Sequence, residues 1–224
     1  MAPRRVQAVL LDMGGVLLPE LQTYERAVRD RSLLDTLAEH GVAEPEKFVL
    51  ERAKRVREAY RALERERTQP DLGQVLADCT PAVRGLLIGA FRRESAPPPY
   101  AHAREVVAEL ARSYRLGLVS NTAIPGRHHA NVLRRAGILE HFGCALWSAN
   151  FGRRKPDPAM IAHVLAVLRV PARGAVFVGD KLRTDVAAAR AAGVRAVYIK
   201  KRGAPAASRS RSTSRRRRAA AGRS

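Results

Sequence analysis

The sequence predicts an α/β protein built on a doubly wound parallel sheet. Short apolar segments rich in β-branched residues recur along the chain, and stretches with helical periodicity separate most of them. Strands that alternate with helices form a parallel sheet covered by helices on both faces. The 224 residues, of which 46% are hydrophobic, suffice for one substantial core with a smaller insertion. The five predicted strands are residues 6–11, 116–120, 145–148, 175–179 and 196–199.

Apolar spacing and terminal residues predict the helices of the second half. Val106 and Val107 both belong to the apolar face of an amphipathic segment. Asp157 is a good helix N-cap and Pro158 suits the first turn, while Gly193 is typical of a helix C-terminus. Each helix brings the chain back to begin another strand. The predicted helices are residues 100–113, 159–168 and 185–192.

A helical cap is predicted in the long interval between the first and second strands. This interval contains several helical patterns, including a strongly charged helix over residues 45–67, and no convincing strand. It is too long for a simple crossover between strands. We therefore expect an α-helical cap over the ligand-binding edge of the sheet, closed by three rigid prolines at 97–99. The predicted division is a core domain of residues 1–18 and 96–202 and a cap of residues 19–95.

The strong positive charge does not by itself predict a nucleic-acid-binding protein. The net charge is +20, and clustered cations do gain affinity by releasing counterions from phosphates. Ten of the cations, however, fall in residues 200–224, which contain no acid. From residue 203 onward Ala, Ser, Arg and Gly dominate without periodicity, which predicts a disordered tail over residues 203–224. We expect at most weak, non-specific contact of this tail with nucleic acid and no specific nucleic-acid partner.

Cysteine usage and hydropathy favour a soluble, cytoplasmic protein. Cys79 and Cys144 lie far apart, without the paired spacing of zinc ligands, and two cysteines do not define a disulfide framework. The longest apolar runs are too short to span a bilayer. Asp12 interrupts the N-terminal apolar run where a signal peptide needs an unbroken one. The sequence does not indicate an oligomeric state.

Polar residues that can bind metals and anions stand where the predicted strands end. The carboxyl ends of neighbouring parallel strands meet at the edge where open α/β sheets bind ligands. Carboxylates there can bind a hard divalent cation such as Mg²⁺, and a lysine can neutralise an anion. Glycines after the first carboxylate let the backbone approach a ligand closely. The candidates in chain order are Asp12 with Gly14 and Gly15, Ser120 with Asn121, Lys155, Asp180 and Asp185.

Taken in order, these segments resemble the four motifs of the haloacid dehalogenase (HAD) superfamily, whose members are mostly magnesium-dependent phosphatases. The resemblance covers residues 6–199, and the helical insertion resembles the small type 1 cap of that superfamily. It implies a Rossmann-like core, Mg²⁺ as cofactor and a small phosphorylated metabolite as substrate. The matching segments are Asp12-Met13-Gly14-Gly15-Val16-Leu17, Ser120-Asn121-Thr122, Lys155-Pro156-Asp157, and Gly179-Asp180 followed by Asp185.

The resemblance also implies roles for the acidic residues. Asp12 corresponds to the nucleophile, which takes the phosphoryl group as an aspartyl phosphate before water releases it. Asp12, the main-chain carbonyl of Gly14 and Asp180 correspond to the magnesium ligands. Asp185 corresponds to a carboxylate that orients a metal-bound water or coordinates through it. A strand-to-helix turn with two capping carboxylates is the purely structural alternative for Asp180 and Asp185.

The remaining motif residues correspond to the groups that bind phosphate. Lys155 matches the lysine that bridges nucleophile and phosphate as a compact charge. Ser120 matches the hydroxyl that donates a hydrogen bond to phosphate, and the backbone N–H of Asn121 matches a second donor. A polar turn that merely ends a strand is the structural alternative for Ser120 and Asn121.

Gly14 departs from the family pattern, because phosphatases of this family usually carry there a second Asp that protonates the leaving alcohol. Loss of a general acid or base typically lowers the rate on the order of 10²–10⁴-fold. Three hypotheses follow: a phosphatase that uses good leaving groups or another acid, a catalytically weak or silent phosphate-binding or interaction protein, and a dehalogenase-type C–halogen hydrolase. The last branch usually has Tyr at this position and dispenses with the metal that Asp180 is placed to hold.

Two neighbouring histidines attract attention without predicting a site. His128 and His129 follow Ile124-Pro125, which favours an exposed helix start. No other metal ligand lies near them in the sequence. We therefore interpret both as surface residues, and Trp147 as a core residue rather than a platform for stacked bases.

Overall fold

The computed structural model describes residues 5–19, 24–63, 66–94 and 97–199. Five strands form one sheet in the order β3-β2-β1-β4-β5, and every neighbouring pair is parallel. All five predicted strands are confirmed with small shifts at their ends. The predicted Arg/Ser-rich tail, residues 203–224, lies outside the described residues. The strands are β1 Ala8–Leu11, β2 Arg115–Ser120, β3 Phe142–Trp147, β4 Ala175–Gly179 and β5 Arg195–Tyr198.

The register of the central strand brings the candidate residues to one edge. β1 lies between β2 and β4, and its last residue, Leu11, pairs with Leu118 on one side and Val178 on the other. Asp12 is therefore level with the residues just before Ser120 and Asp180. Parallel pairing places all three at the carboxyl edge of the sheet, with Asp12 between the other two.

Helices cover both faces of the sheet. Alternate residues of β1 point to opposite faces, so Leu10 packs in one apolar cluster with α8 and α9, and Leu11 packs in another with α5 and α6. Val107 is completely buried in the second cluster, whereas Val106 is 54% exposed, so the prediction for Val106 was wrong. The helices are α5 Ala103–Ala111, α6 Gly126–Arg135, α7 Ser148–Phe151, α8 Ala159–Leu168 and α9 Ala187–Ala191.

Residues 24–94, between the loop after β1 and α5, form a helical segment, and its described residues contain no strand. A short 3₁₀ helix, Tyr24–Arg29, precedes four α-helices, and the Asp30 carboxylate caps the first of them by accepting the N–H of Leu33. Ala123 and Ile124, which follow β2, are buried in the apolar core of this segment. The helical segment therefore packs on the loops at the carboxyl edge of the sheet. The helices are α1 Arg31–Glu39, α2 Pro45–Ala62, α3 Leu72–Val75 and α4 Pro81–Glu94.

The backbone makes a second contact, between the helical segment and the residues that precede Lys155. Residues 67–69 run antiparallel to residues 152–154, with Thr68 opposite Arg153. The N–H of Gln69 donates to the Gly152 carbonyl at 3.0 Å, and the N–H of Arg154 donates to the Arg67 carbonyl at 2.9 Å. This short ladder ends directly before Lys155. Throughout the described ranges, no helix is both long enough and apolar enough to cross a bilayer.

Candidate active site

Three carboxylates meet at the carboxyl edge of the sheet. Asp12 follows β1, Asp180 follows β4, and Asp185 lies in the single turn of π-helix at Leu182–Val186. One oxygen of each lies within 4.8 Å of one oxygen of the other two, and all three side chains are buried. Burying carboxylates this close together is costly unless cations neutralise them.

Lys155 supplies one of the neutralising charges. Its ammonium lies 2.7 Å from Asp12 Oδ1 and 2.8 Å from Asp185 Oδ1, and it donates to the Val119 carbonyl at 2.8 Å. Burial by itself lowers the pKa of Lys155, but the carboxylates of Asp12 and Asp185 reverse this and raise it. The lysine is therefore a fixed positive charge with its hydrogen bonds directed at two carboxylates.

The pKa of Asp12 is raised from its usual value. Burial is the main cause, the neighbouring Asp185 charge acts in the same direction, and the Lys155 ammonium opposes both. Three carboxylates and one ammonium leave a formal charge of −2 in this buried cluster. A divalent cation would neutralise that charge.

Both oxygens of Asp185 already have partners. Oδ1 contacts Lys155, and Oδ2 accepts the backbone N–H groups of Asp180 at 3.1 Å and Lys181 at 3.0 Å. Asp185 thus orients the Lys155 ammonium and the backbone of the loop after β4. Asp12 and Asp180 remain the better-placed carboxylates for direct contact with a metal.

Two glycines make this proximity possible. Gly15 has a φ of +79°, and a Cβ there would stand 2.1 Å from Asp180 Oδ2. A Cβ on Gly179 would stand 2.4 Å from the Cβ of Asp185. Any other residue at either position would displace a carboxylate of the cluster. Gly14, between Asp12 and Gly15, is buried in the same loop.

The set of donors suits a hard divalent cation such as Mg²⁺. Such an ion prefers oxygen ligands and is usually held by one or two carboxylates together with waters. Asp12 and Asp180 supply the carboxylates, and the formal charge of −2 on the cluster would balance the charge of the ion.

The second motif lies against the lysine. Ser120 ends β2 and is buried. The side-chain amide of Asn121 makes a reciprocal pair with the backbone of Lys155: Oδ1 accepts its N–H at 2.8 Å, and Nδ2 donates to its carbonyl at 2.8 Å. The sequence suggested only the backbone N–H of Asn121 as a functional group. Its amide additionally fixes the position of Lys155.

Comparison with known proteins agrees with this geometry. A family model for haloacid dehalogenase-like hydrolases matches residues 6–193. The chain belongs to this hydrolase family. The phosphoserine phosphatase of Thermus thermophilus is 35% identical to the hydrolase over 117 residues, which are 52% of the hydrolase and 46% of that relative. The hydrolase thus spans about half the length of this relative.

Two further proteins match nearly the whole hydrolase. The phosphoglycolate phosphatase of Rhodospirillum rubrum is 30% identical over 201 residues, covering 86% of the hydrolase and 79% of that protein. The crystal structure of an HAD phosphatase from Thermococcus onnurineus shares the fold with a TM-score of 0.63 at 21% identity, covering 91% of the hydrolase and 90% of that chain. The predicted family and the Rossmann-like core are therefore confirmed.

His129 is not at the surface, so the prediction for this residue was wrong. It is completely buried in the hydrolase, its ring stacks near Trp147 at 6.5 Å between centroids, and its Nε2 lies 3.0 Å from Thr122 Oγ1. Burial, assisted by the neighbouring His128, lowers the pKa of His129 to about 4. Leu133, one helical turn later in α6, is buried on the same face. That i, i+4 spacing was the signal in the sequence that could have revealed it.

A buried series of side-chain hydrogen bonds beside the second motif was also not predicted from the sequence. Ser148 Oγ accepts the N–H of Thr122 at 2.8 Å and donates to Gln69 Oε1 at 2.7 Å. The Gln69 amide in turn donates to the hydroxyl of Tyr60 at 2.9 Å. Burial is the main reason that the pKa of Tyr60 is raised. No local pattern connects residues so far apart in sequence.

Proposed function

We propose that this hydrolase is a magnesium-dependent phosphatase that transfers the phosphoryl group of a small phosphorylated metabolite to Asp12 and then to water. The observation that carries the proposal is the buried cluster of Asp12, Asp180 and Asp185, in which the Lys155 ammonium pairs with Asp12 and Asp185. The phosphatase names of the two curated relatives support the choice of substrate class. A cytoplasmic site of action, where such metabolites are formed, belongs to the proposal.

The ligands of Mg²⁺ would be Asp12, the Gly14 carbonyl and Asp180. Asp185 would position the backbone of residues 180–181, whose N–H groups it accepts. The formal charge of −2 on the cluster supports this assignment. When bound, the ion would neutralise charge on the carboxylates and on the phosphate, which otherwise repel each other.

The protein groups around Asp12 suit nucleophilic attack on phosphorus. Lys155 holds Asp12 Oδ1 and fixes the direction of the carboxylate, so the orientation of the nucleophile is established before substrate binds. The Ser120 hydroxyl and the Asn121 backbone N–H would donate hydrogen bonds to the phosphate oxygens. Formation of the P–O bond to Asp12 releases the alcohol, and attack of water on phosphorus then breaks that bond and restores the carboxylate.

Because position 14 is a glycine, the protein lacks the acid that in this family usually protonates the leaving alcohol. We propose that substrates with good leaving groups are preferred, or that the proton comes from a cap formed by residues 19–95. The packing of the helical segment on Ala123 and Ile124 and its ladder with residues 152–154 support a cap at this edge.

Gly14 also supports a second candidate, a protein that binds phosphate without turning substrate over. The motif residues that would bind metal and phosphate do not depend on the missing carboxylate, since the main-chain carbonyl of Gly14 is retained. A dehalogenase-type activity is less well supported, because that branch does not use the metal for which the three carboxylates are suited.

Hydrolysis of a reactive aryl phosphate tests the proposal. We expect release of inorganic phosphate that requires Mg²⁺ and is abolished in Asp12→Asn, because an amide cannot act as the nucleophile. Asp35→Asn, which makes the same change at an exposed position on α1, is the matched control and should retain full activity. Equal rates for Asp12→Asn and the wild type would disprove the assignment of the nucleophile.

A gain-of-function variant separates the two candidates. Gly14→Asp restores the position of the general acid and should raise activity on alkyl phosphates, whose leaving groups need a proton, more than on aryl phosphates. Magnesium-dependent binding of beryllium fluoride with no turnover in either protein would instead favour the silent phosphate-binding protein.

A further inference from the structure

The Gln69 amide is held in one orientation at the boundary between the helical segment and the sheet domain. Gln69 is only 9% exposed. Its Nε2 lies 3.2 Å from the Pro70 carbonyl, which can only accept a hydrogen bond, and 2.9 Å from the Tyr60 hydroxyl. The amide nitrogen must therefore face Pro70, and the amide oxygen must face Ser148.

This orientation determines what the Ser148 hydroxyl does. Ser148 is completely buried, and its single proton faces two acceptors, Gln69 Oε1 at 2.7 Å and the Thr122 carbonyl at 3.0 Å. A lone pair of the same oxygen accepts the N–H of Thr122 at 2.8 Å. Gln69 thus keeps the hydroxyl oriented so that it can accept the Thr122 N–H, and Thr122 directly follows the Ser120-Asn121 pair.

The same short segment also reaches the lysine. The backbone of residues 67–69 pairs with residues 152–154, immediately before Lys155. Asn121 then ties the Lys155 backbone to the turn after β2. One line of hydrogen bonds ends at Thr122, next to Ser120 and Asn121, and the other ends at Arg154, next to Lys155. The Asp12 and Asp185 carboxylates contact the Lys155 ammonium, and Asp185 also accepts the backbone N–H groups of residues 180 and 181.

We infer that Gln69 is a positioning residue for phosphate binding: through Ser148 it holds the turn at Ser120, Asn121 and Thr122 in the shape that receives the phosphate. This inference rests on the proposed function. It assigns to the helical segment a role in shaping the phosphate site through neutral hydrogen bonds. It also predicts that changes at Gln69 alter the affinity for phosphate and not the affinity for Mg²⁺.

Calorimetric titration of the full chain with inorganic phosphate at saturating Mg²⁺, and with Mg²⁺ alone, tests the inference. Gln69→Met keeps the size of the side chain and removes its hydrogen bonds, and Ser148→Ala removes the hydroxyl. Each should weaken phosphate binding about tenfold, which corresponds to about 1.4 kcal/mol, while Mg²⁺ affinity stays within twofold of the wild type. The double variant should lose no more than the weaker-binding single variant, because both changes break one chain.

Gln74→Met provides the matched control, since Gln74 is exposed on α3 and its side chain lies outside this chain of hydrogen bonds. It should bind phosphate like the wild type. Three results would overturn the inference: wild-type phosphate affinity in a folded Gln69→Met or Ser148→Ala protein, additive losses in the double variant, or an equal loss of Mg²⁺ affinity. If Gln69→Met does not fold, the phosphate affinity of Ser148→Ala alone tests the inference. Absence of phosphate binding by the wild type would instead remove the proposed function, and the inference with it.

Discussion

The two sides of the site are held together by different forces. On the side of β1 and β4, the carboxylates of Asp12, Asp180 and Asp185 lie together, and the Lys155 ammonium pairs with two of them, Asp12 and Asp185. On the side of β2 and β3, the turn after Ser120 is held by neutral hydrogen bonds through Ser148 and Gln69. We therefore expect the first side to depend on cations for its stability, and the second side to keep its shape whether or not an ion is bound.

Replacement of the shared lysine should give the largest effect. Lys155→Met removes the ammonium that pairs with the buried carboxylates of Asp12 and Asp185, and removing one partner of a buried ion pair costs about 3–5 kcal/mol. We expect a loss of that size in the free energy of unfolding, measured by denaturant titration without metal. A smaller loss in the presence of Mg²⁺ should follow, because the ion supplies the missing charge.

The control for Lys155 is Lys47→Met. Lys47 pairs with Glu44 at 2.9 Å, but their side chains are 63% and 68% exposed, so the expected change is about 0–1 kcal/mol. If the two variants lost the same stability, charge would not be what holds the carboxylate side.

Magnesium should stabilise the protein through the carboxylate side alone. At a concentration of 100 times its Kd, a ligand adds about 2.7 kcal/mol, which for a protein of this size corresponds to roughly 5–10 °C in Tm. Asp180→Asn should lose most of this shift, and without metal it should be no less stable than the wild type, because one repulsive charge is gone. A thermal melt with and without Mg²⁺ measures both, with Asp35→Asn as the exposed control. A full magnesium shift in Asp180→Asn would contradict the assignment of this ligand.

On the neutral side, we expect low pH to lower the stability of the protein through protonation of His129. Its pKa is about 4 in the folded protein against about 6.5 when unfolded, so the unfolded chain binds the proton first as pH falls. The stability contributed by neutral His129 is therefore complete above pH 6.5 and is lost as pH falls towards 4. We expect His129→Gln to flatten the decline in unfolding free energy between pH 7 and 4.5 by about 1–3 kcal/mol. His163→Gln on α8 is the control, and an equal decline in His129→Gln and wild type would refute this account.

Much of the fold was predictable because its signals are local. The apolar run that ends at Asp12 and the run that ends at Gly179-Asp180 each identify a buried strand and its carboxyl end within a few residues. Parallel pairing places both ends at the same edge of the sheet, and the structure shows that β1 and β4 are neighbours, which brings Asp12 and Asp180 together.

Predictions failed where a contact with residues distant in the sequence determined the local structure. Adjacent helical residues point about 100° apart, and only the packing of α5 decided that Val107 and not Val106 faces the sheet. The helix predicted over 45–67 ends at Ala62, because residues 67–69 pair with residues 152–154 instead.

The sequence by itself determined the strands, their order along the chain and the charged residues at their ends, because hydrophobic periodicity and strand termini depend on residues that are adjacent in the sequence. Only the tertiary structure decided which neutral groups hold the site. Ser148 and Gln69 are 79 residues apart, and a buried hydroxyl or amide takes whichever partner the fold brings within about 3 Å. Short-range patterns carry no information about that choice, which is why the sequence indicated the charged residues and the Ser120-Asn121 turn but not Ser148 and Gln69.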